Sequence, residues 1–252
     1  MARILLAGES WISHATHTKG FDVFSSVTYH TGADEFMAAA ASQGVEIEQM
    51  LAQDVPERFP RSVEALQEWD AIILSDIGAN SFLLPSATWL GGRASGNPLR
   101  ALGEWVRTGG GLMMAGGYLS FQGFQARANF ARSPLADVLP VTMRDSDDRV
   151  EAPEGVESTL LLAQHPIGRT FAADPPPLLG WNQVQARPDA EVVATVGDDV
   201  LIATRTVDQG RSLVWTSDIG PHWCPQPFLD WSGFAPLVGG MLRWLVGEEV
   251  PA

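Results

Sequence analysis

The stretch Asp70-Ala-Ile-Ile-Leu-Ser-Asp76 decides the fold class of this 252-residue chain. Its central residues are all apolar up to the serine, as expected of a strand that is covered on both faces in a parallel sheet. A second apolar run, Leu112–Ala115, lies beyond a helical stretch at Leu99–Thr108 and three consecutive glycines. This succession of strand, helix and strand is typical of an α/β protein with a parallel sheet.

The segments before Asp70 extend the same alternation. They predict, in order, a strand, a helix, a strand and a helix, at Arg3–Gly8, Glu35–Gln43, Val45–Met50 and Arg61–Glu68. Together with the two runs above they give the order β-α-β-α-β-α-β, which predicts a doubly wound, mostly parallel sheet with helices on both faces.

The C-terminal half predicts a different arrangement of strands. Three β-branched runs, separated by Gly-Asp-Asp and Asp-Gln-Gly turns, occupy Val192–Val196, Val200–Val207 and Arg211–Ser217. Such runs are typical of an antiparallel meander, and Asp230–Val246 predicts a closing helix with one apolar face. The chain has no linker and no repeat, so we expect one domain over residues 1–252.

Composition and charge exclude several classes of function. The net charge is −14, from 30 acidic and 16 basic residues, so the chain should repel polyanions and we expect no nucleic-acid partner. No apolar run reaches the roughly 18–20 residues of a membrane span, and the N-terminus lacks the long apolar region of a signal peptide. The single cysteine, Cys224, excludes an intrachain disulfide. These features predict a cytoplasmic protein with no membrane partner.

The candidate site lies at the carboxyl ends of the predicted strands, where ligands bind in open parallel sheets. Four loops follow these strands: Glu9–Gly20, Ser75–Asn80, Gly116–Gly123 and Ser217–Cys224. They contain three of the five histidines, the only lysine and the only cysteine. We therefore expect a pocket for a small molecule at this edge.

The predicted ligand-binding residues lie in or near these loops: His17, Lys19, Asp76, Asn80, Gly116, Gly117, Tyr118, Arg149 and Trp223. Lys19 and Arg149 would hold an anionic group of the ligand. The amides of Gly116 and Gly117 would receive an oxyanion or a carboxylate. The aromatic side chains either border the pocket, as a stacking wall, or belong to the core.

The turn at Gly116 and Gly117 is similar to the backbone of a nucleophile elbow, because it follows a buried strand and is expected to open a helix. Ser120 is the candidate nucleophile of this turn, but the residues around it do not match G-x-S-x-G. The alternative is a tight glycine turn in which Ser120 caps the helix.

The loop Ser217–Cys224 contains the other candidate catalytic residues. Asp218 and His222 predict an acid–base pair, and a protonated His222 would activate Cys224 as a thiolate nucleophile. The alternative is that this lone cysteine is a small buried apolar residue.

A metal site would need His14 and His17 together with Asp76, Asp218 or His222. No predicted helix places both imidazoles of the H-x-x-H pair on one face, so we expect hydrogen-bonded or solvated histidines, with no metal and no cofactor.

Two further features concern the surface. The acidic cluster Asp145, Asp147 and Asp148 predicts a surface loop, in which Arg149 pairs with Asp148 or holds a ligand carboxylate. Exposed Trp and Phe side chains in the loops predict a homo-oligomer.

Several of these stretches resemble one known family. They are Gly8–Trp11, His17–Asp22, Ser75–Asn80, Gly109–Gly123, Asp147–Glu151 and Ser217–Trp223. Together they are similar to the glutamine amidotransferase-like family of small cytoplasmic bacterial proteins, within the class I glutamine amidotransferase superfamily and close to the trehalose-utilisation type. The resemblance implies a flavodoxin-like three-layer α/β/α sandwich.

The resemblance implies less about the reaction. Active members of the superfamily have a cysteine at the elbow and a late His and Glu, whereas this chain has Gly117 at the elbow position and Cys224 where the Glu would follow His222. Two hypotheses remain. The chain is an enzyme with a rearranged site, using His222 as general base oriented by Asp218 or Asp76, or it is a non-catalytic protein that binds a small molecule or carbohydrate.

Overall fold

A computed structural model describes residues 2–250 and contains one eight-stranded mixed sheet together with three two-stranded ribbons. The strands are β1 (Ile4–Gly8), β2 (Ser10–Lys19), β3 (Asp22–Thr31), β4 (Ile47–Met50), β5 (Ala71–Ser75), β6 (Gly111–Ala115), β7 (Val141–Thr142), β8 (Arg149–Val156), β9 (Ser158–Leu160), β10 (Leu178–Asn182), β11 (Gln185–Ala186), β12 (Glu191–Val196), β13 (Asp199–Val207) and β14 (Gly210–Trp215).

The order of strands in the large sheet is β4-β1-β5-β6-β14-β13-β12-β9. Neighbouring strands from β4 to β14 are parallel, and those from β14 to β9 are antiparallel. This order confirms the prediction of a mostly parallel sheet with an antiparallel meander in the C-terminal half.

The helices cover both faces of the sheet. They are α1 (Asp34–Ser42), α2 (Val55–Arg58), α3 (Val63–Leu66), α4 (Ala79–Leu83), α5 (Ser86–Trp89), α6 (Pro98–Arg107), α7 (Gln226–Leu229) and α8 (Phe234–Val246). Helix α6 begins with Asn97 as its N-cap, whose side chain accepts a hydrogen bond from the Arg100 amide at 3.1 Å, and proline follows at the first position. None of the helices among residues 2–250 has the length and apolarity needed to cross a membrane.

The apolar strands have no polar face because they separate two cores. In β5, Ile73 packs with α1 and α8 on one side, while Ile72 and Leu74 pack with α6 on the other side. The other central strands divide their residues in the same way. Side chains of a strand alternate between its faces, so a strand buried on both faces is apolar at consecutive positions. The result is the predicted three-layer α/β/α sandwich.

Three predicted elements differ from the observed ones. The segment Glu9–Gly20 was expected to be a loop, but β2 and β3 form a long hairpin whose turn has Gly20 at φ +64°. The predicted helix Arg61–Glu68 is only the short α3, and the closing helix begins at Phe234 rather than Asp230. The hairpin was missed because its strands face solvent on both sides and lack an apolar alternation.

Candidate functional site

Three side-chain carboxyl groups lie at the edge of the sheet where the parallel strands end. Glu9 directly follows β1, Asp76 directly follows β5, and Asp218 lies three residues beyond β14. The three strands run parallel in one sheet, so their last residues lie along a single edge. The charges of Asp218 and Asp76 both raise the pKa of Glu9, and the charge of Asp218 also raises the pKa of Asp76.

Glu9 is held in a strained and buried position. Its φ is +50°, which is uncommon for a residue with a side chain. Its amide donates to the Ser75 carbonyl at 2.9 Å, and its side-chain Oε2 accepts from the Ser75 hydroxyl at 2.5 Å. Burial, followed by the charges of Asp218 and Asp76, raises its pKa from 4.5 to about 8, so Glu9 is mostly protonated at neutral pH.

Asp76 also has a positive φ, of +42°. Its Oδ1 accepts from the Leu119 amide at 2.6 Å, and its own amide donates to the Ser120 hydroxyl at 3.1 Å. Burial raises the pKa of Asp76 from 3.8 to about 6, although the hydrogen bond from Leu119 opposes this shift. Asp76 is therefore mostly ionised at neutral pH.

Asp218 and His222, which the sequence predicts as an acid–base pair, lie within hydrogen-bond distance of each other. Asp218 Oδ2 lies 3.3 Å from His222 Nδ1. Burial raises the pKa of Asp218, and the hydrogen bond with His222 opposes that shift. The same hydrogen bond raises the pKa of His222. The side chain of His222 is 52% exposed, so it can exchange protons with solvent while Asp218 stays buried.

These groups line an open cavity of about 490 Å³. The lining residues come from the four strand ends and from the base of the hairpin: Glu9, Trp11, Thr31, Gly32, Asp76, Tyr118, Asp218, Gly220, Pro221 and His222. The volume falls within the range of small-molecule sites. Of the residues predicted from sequence, the structure brings Asp76, Tyr118, Asp218 and His222 together around it.

Tyr118 forms an aromatic wall of the cavity. Its ring contacts His222 edge-to-face, with centroids 5.1 Å apart, and its hydroxyl donates to Glu151 Oε1 at 3.0 Å. The Trp223 indole donates to the other oxygen of Glu151 at 3.0 Å, so one carboxylate fixes both rings. Trp223 itself is 1% exposed and supports the wall from behind without lining the cavity.

With this geometry established, the sequence can be compared with known families. The model of a family described as "Putative glutamine amidotransferase" matches residues 3–247. The chain belongs to this glutamine amidotransferase-like family. No curated protein matches it.

Solved structures of other proteins are similar to this chain. Cytoplasmic Protein STM3548 from Salmonella typhimurium is 41% identical, with a TM-score of 0.92 over 96% of this chain and 98% of its own. Cytoplasmic Protein STM1381 from Salmonella typhimurium LT2 is 40% identical, with a TM-score of 0.91 over 96% and 99%. A ThuA-like protein from Bacteroides uniformis ATCC 8492 shares the fold at 13% identity, with a TM-score of 0.58 over 98% and 92%.

In this glutamine amidotransferase-like protein, the turn after β6 differs from the predicted nucleophile elbow. The Gly116 amide donates to the carbonyls of Trp215 and Ser217, and the Gly117 amide donates to Asn182 Oδ1 at 3.0 Å. Neither amide is left to receive an oxyanion. No α-helix begins at the turn directly after β6; the chain turns irregularly before the short 3₁₀ turn Phe124–Ala126.

Gly117 instead makes room for Asp76. Its φ is +141°, and a Cβ built on it would lie 2.9 Å from Asp76 Oδ1. Ser120 is 2% exposed, and its hydroxyl accepts from the Asp76 amide, so it positions Asp76 and caps no helix. These contacts explain why small residues follow β6.

Cys224 lies in the apolar core on the α8 side of the sheet and is completely buried. Burial, together with the charge of Asp218, raises the pKa of its thiol well above the ordinary value. A thiol that is buried and protonated is a poor nucleophile. The structure therefore favours the alternative reading of Cys224 as a small core residue.

Lys19, His17 and Asn80 lie away from the cavity lining. His17 and Lys19 are exposed near the hairpin turn, where the His17 ring stacks on Phe24 at 4.7 Å. Asn80 is exposed on α4. Among residues 2–250, no three His, Cys, Asp or Glu side chains are grouped so that they could hold a metal. His14 and His17 therefore belong to no such group.

Arg149 also does not line the cavity. It pairs with Asp147 at 2.9 Å and with Glu151 at 3.7 Å, and its guanidinium lies between the rings of Tyr118 and Phe124, 4.7 and 4.2 Å from their centroids. Its charge is used inside the protein, where it supports the aromatic wall.

Asp148 was expected on a surface loop, but it is 1% exposed. Its carboxylate accepts from the amides of Gln122 and Gly123, at 2.9 and 2.8 Å, and from the Asn182 side chain at 2.8 Å. Asn182 in turn accepts from the Gly117 amide. Asp148 thus fixes the loop that positions Asp76. The sequence has no local signal for this role, because its partners lie more than twenty residues away.

Proposed function

We propose that this protein binds a small, uncharged, hydroxyl-bearing molecule, such as a sugar, in the cavity at the strand ends and performs acid–base chemistry on it. One observation carries the proposal: three carboxyl groups from three strand ends, the buried Glu9 and Asp218 and the half-buried Asp76, face one cavity together with His222. Perturbed carboxyl groups that share a cleft are typical of active sites.

The pKa values of the carboxyl groups divide the roles of acid and base. With a pKa of about 8, Glu9 keeps its proton at neutral pH and is the candidate general acid. Asp76, with a pKa of about 6, is the candidate general base. The Asp218–His222 pair exchanges protons with solvent and would restore both groups after each turnover. Two carboxyl groups whose environments separate their pKa values often divide an acid and a base role in this way.

The charges of the cavity favour an uncharged ligand. The carboxyl groups would repel an anion, and the two cations predicted to bind one, Lys19 and Arg149, lie outside the lining. Carboxylates accept hydrogen bonds from hydroxyl groups, and the exposed rings of Trp11 and Tyr118 offer surfaces for stacking. Carboxylates beside aromatic rings therefore suit a polyhydroxylated ligand.

Hydrolysis of glutamine through a thiolate is disfavoured, despite the family to which the chain belongs. The elbow residue is Gly117, its amide is already bonded to Asn182, and Cys224 is buried in the core. The missing nucleophile also supports a second candidate, a non-catalytic carbohydrate-binding protein with the same cavity. We place either protein in the cytoplasm, in line with the names of its Salmonella relatives.

The test is a titration of the purified protein with a panel of neutral mono- and disaccharides, followed by tryptophan fluorescence and calorimetry. Each sugar is then incubated with the protein, and products are sought by NMR. We expect saturable binding that weakens at least about tenfold in Asp76→Asn, the equivalent of one lost charged hydrogen bond. Glu154→Gln, an exposed carboxyl outside the cavity, is the matched control and should bind like the wild type.

The outcomes separate the candidates. Sugar turnover that disappears in Glu9→Gln supports the acid–base enzyme, whereas binding without turnover supports the carbohydrate-binding protein. Ammonia release from glutamine that disappears in Cys224→Ala would overturn both. So would a protein that binds none of the sugars but binds carboxylate or phosphate metabolites.

A further inference from the structure

The hairpin formed by β2 and β3, here called the arm (Ser10–Thr31), extends from the protein without a second layer. In the described part of the chain, its two strands pair only with each other. Each strand has ten residues, so the arm is about 33 Å long at roughly 3.3 Å per residue. An isolated two-stranded ribbon is marginally stable in water at best. We therefore expect an arm of this length to pack on another surface.

The arm exposes several large apolar side chains and carries few charged ones. Seven large apolar side chains are 43–107% exposed: Trp11, Ile12, Phe21, Val23, Phe24, Val27 and Tyr29. Its Asp, Glu, Lys and Arg residues are limited to Lys19 and Asp22, both at the turn. Natural edge strands are usually protected by charges or proline. The arm has no such protection before its tip.

One face of the arm is especially suited to burial. Ile12 pairs with Tyr29, His14 with Val27 and Thr18 with Val23. Cross-strand partners share a face, and so do residues two apart in one strand. Ile12, Tyr29, Val27 and Val23 therefore lie on one face, here called the stripe, which is interrupted between Val27 and Val23 by Ser25 and runs from the base of the arm toward its tip.

We propose that the stripe is an interface with a second copy of this chain, and that two copies exchange arms so that each arm lies on the body of the other. The area decides between two geometries. Each face of the arm presents roughly 350 Å², from its length and a width of about 10 Å. Two arms stacked face to face would bury only about 700 Å² in total, which is below a specific interface. Reciprocal exchange buries about 1,400 Å², within the range of stable dimers.

Charge disfavours polyanionic occupants and permits a second copy only where uncharged surfaces touch. The chain carries a net charge of −14, so its body repels nucleic acid and anionic membranes as well as another copy of itself. Two acidic copies can still associate if the surfaces that touch are uncharged and the charged parts are kept apart. The arm provides such a surface, because its only Asp, Glu, Lys or Arg residues are one Lys and one Asp, and their charges cancel.

The test is the molar mass of the purified full chain, by light scattering and sedimentation, over a wide range of protein concentrations. We expect a dimer. The pair Val23→Asp/Val27→Asp should weaken dimerisation by at least about 100-fold, since loss of two apolar contacts of the stripe costs about 1.4 kcal/mol each. Leu161→Asp, which changes an exposed leucine outside the arm, is the control and should leave the dimer unchanged.

A second pair, Val23→Thr/Val27→Thr, keeps the β-branched shape and should still weaken the dimer, which separates loss of apolar surface from loss of the arm's own fold. Hydrogen exchange of the arm amides should be slow in the wild-type dimer and fast in both pairs. A wild type that is monomeric at every concentration overturns the proposal, as does a dimer that both pairs leave intact. Sedimentation of a monomeric wild type with phosphatidylcholine vesicles would identify a lipid surface as the occupant instead.

Discussion

Replacement of Glu9 by glutamine should raise the free energy of unfolding, but only at pH values above 4.5, the ordinary pKa of this side chain. In the folded protein the pKa of Glu9 is about 8, against 4.5 in its ordinary state. Between these two values, the folded protein binds a proton that the unfolded chain releases. The free energy of unfolding therefore falls as the pH rises through this window. Glutamine has the shape of the protonated acid and loses no proton, so the variant escapes this penalty.

The magnitude follows from the size of the window. One pKa unit corresponds to about 1.4 kcal/mol, so the ceiling of the penalty at neutral pH is about 3 kcal/mol. The cavity is open to water and can relax around the charge, which reduces the expected gain for Glu9→Gln to about 1–2 kcal/mol. Well below the unfolded pKa of 4.5, both forms are neutral and the gain should vanish.

Urea unfolding of the wild type and the variant at pH of about 4, 7 and 8.5 measures this difference. Glu154→Gln is the control, because its exposed carboxyl should change stability by less than about 0.5 kcal/mol at any pH. A gain for Glu9→Gln that is the same at all three pH values would refute the reasoning. A loss of stability at the highest pH would show that the Glu9 carboxylate is stabilised in the folded protein.

Three further predictions follow from the same geometry. Iodoacetamide should label Cys224 in the native protein at least about 100-fold more slowly than in urea, because the thiol is buried and protonated; equal rates would place the thiol at the surface. Asp148→Ala should lower the free energy of unfolding by about 3 kcal/mol or more, since it leaves three buried donors unpaired, and an unchanged urea midpoint would contradict this. Gly117→Ala should lower the free energy of unfolding by about 2 kcal/mol and weaken sugar binding, because its Cβ would collide with Asp76 and its φ of +141° is strained for alanine. Wild-type sugar affinity by calorimetry would argue against Gly117 as a spacer.

The central layer of the fold could be predicted because its signal is local. The run Asp70–Asp76 is apolar at consecutive positions because both faces of β5 are buried, and this pattern can be read without knowing which residues pack on it. Helices α1 and α6 begin and end within one residue of their predicted bounds for the same reason. The arm has no core to impose an alternation, so the sequence predicts a loop where the structure has two strands.

The candidate site could be predicted only in part. The rule that ligands bind at strand ends was enough to select Asp76, Asp218 and His222, which line the cavity. The same rule also selected His17 and Lys19, because sequence alone does not reveal that the chain after β1 leaves the sheet as a hairpin.

By itself, the sequence determined the strands and the main helices that pack in the two cores, and which residues follow the parallel strands. Only the tertiary structure decided the chemical state of those residues. Desolvation depends on the atoms that surround a group from every direction, and these come from distant parts of the chain. Glu9 becomes a protonated acid because burial and then the charges of Asp218 and Asp76 raise its pKa, against the opposing hydrogen bond from Ser75. Cys224 becomes inert because the core closes around it.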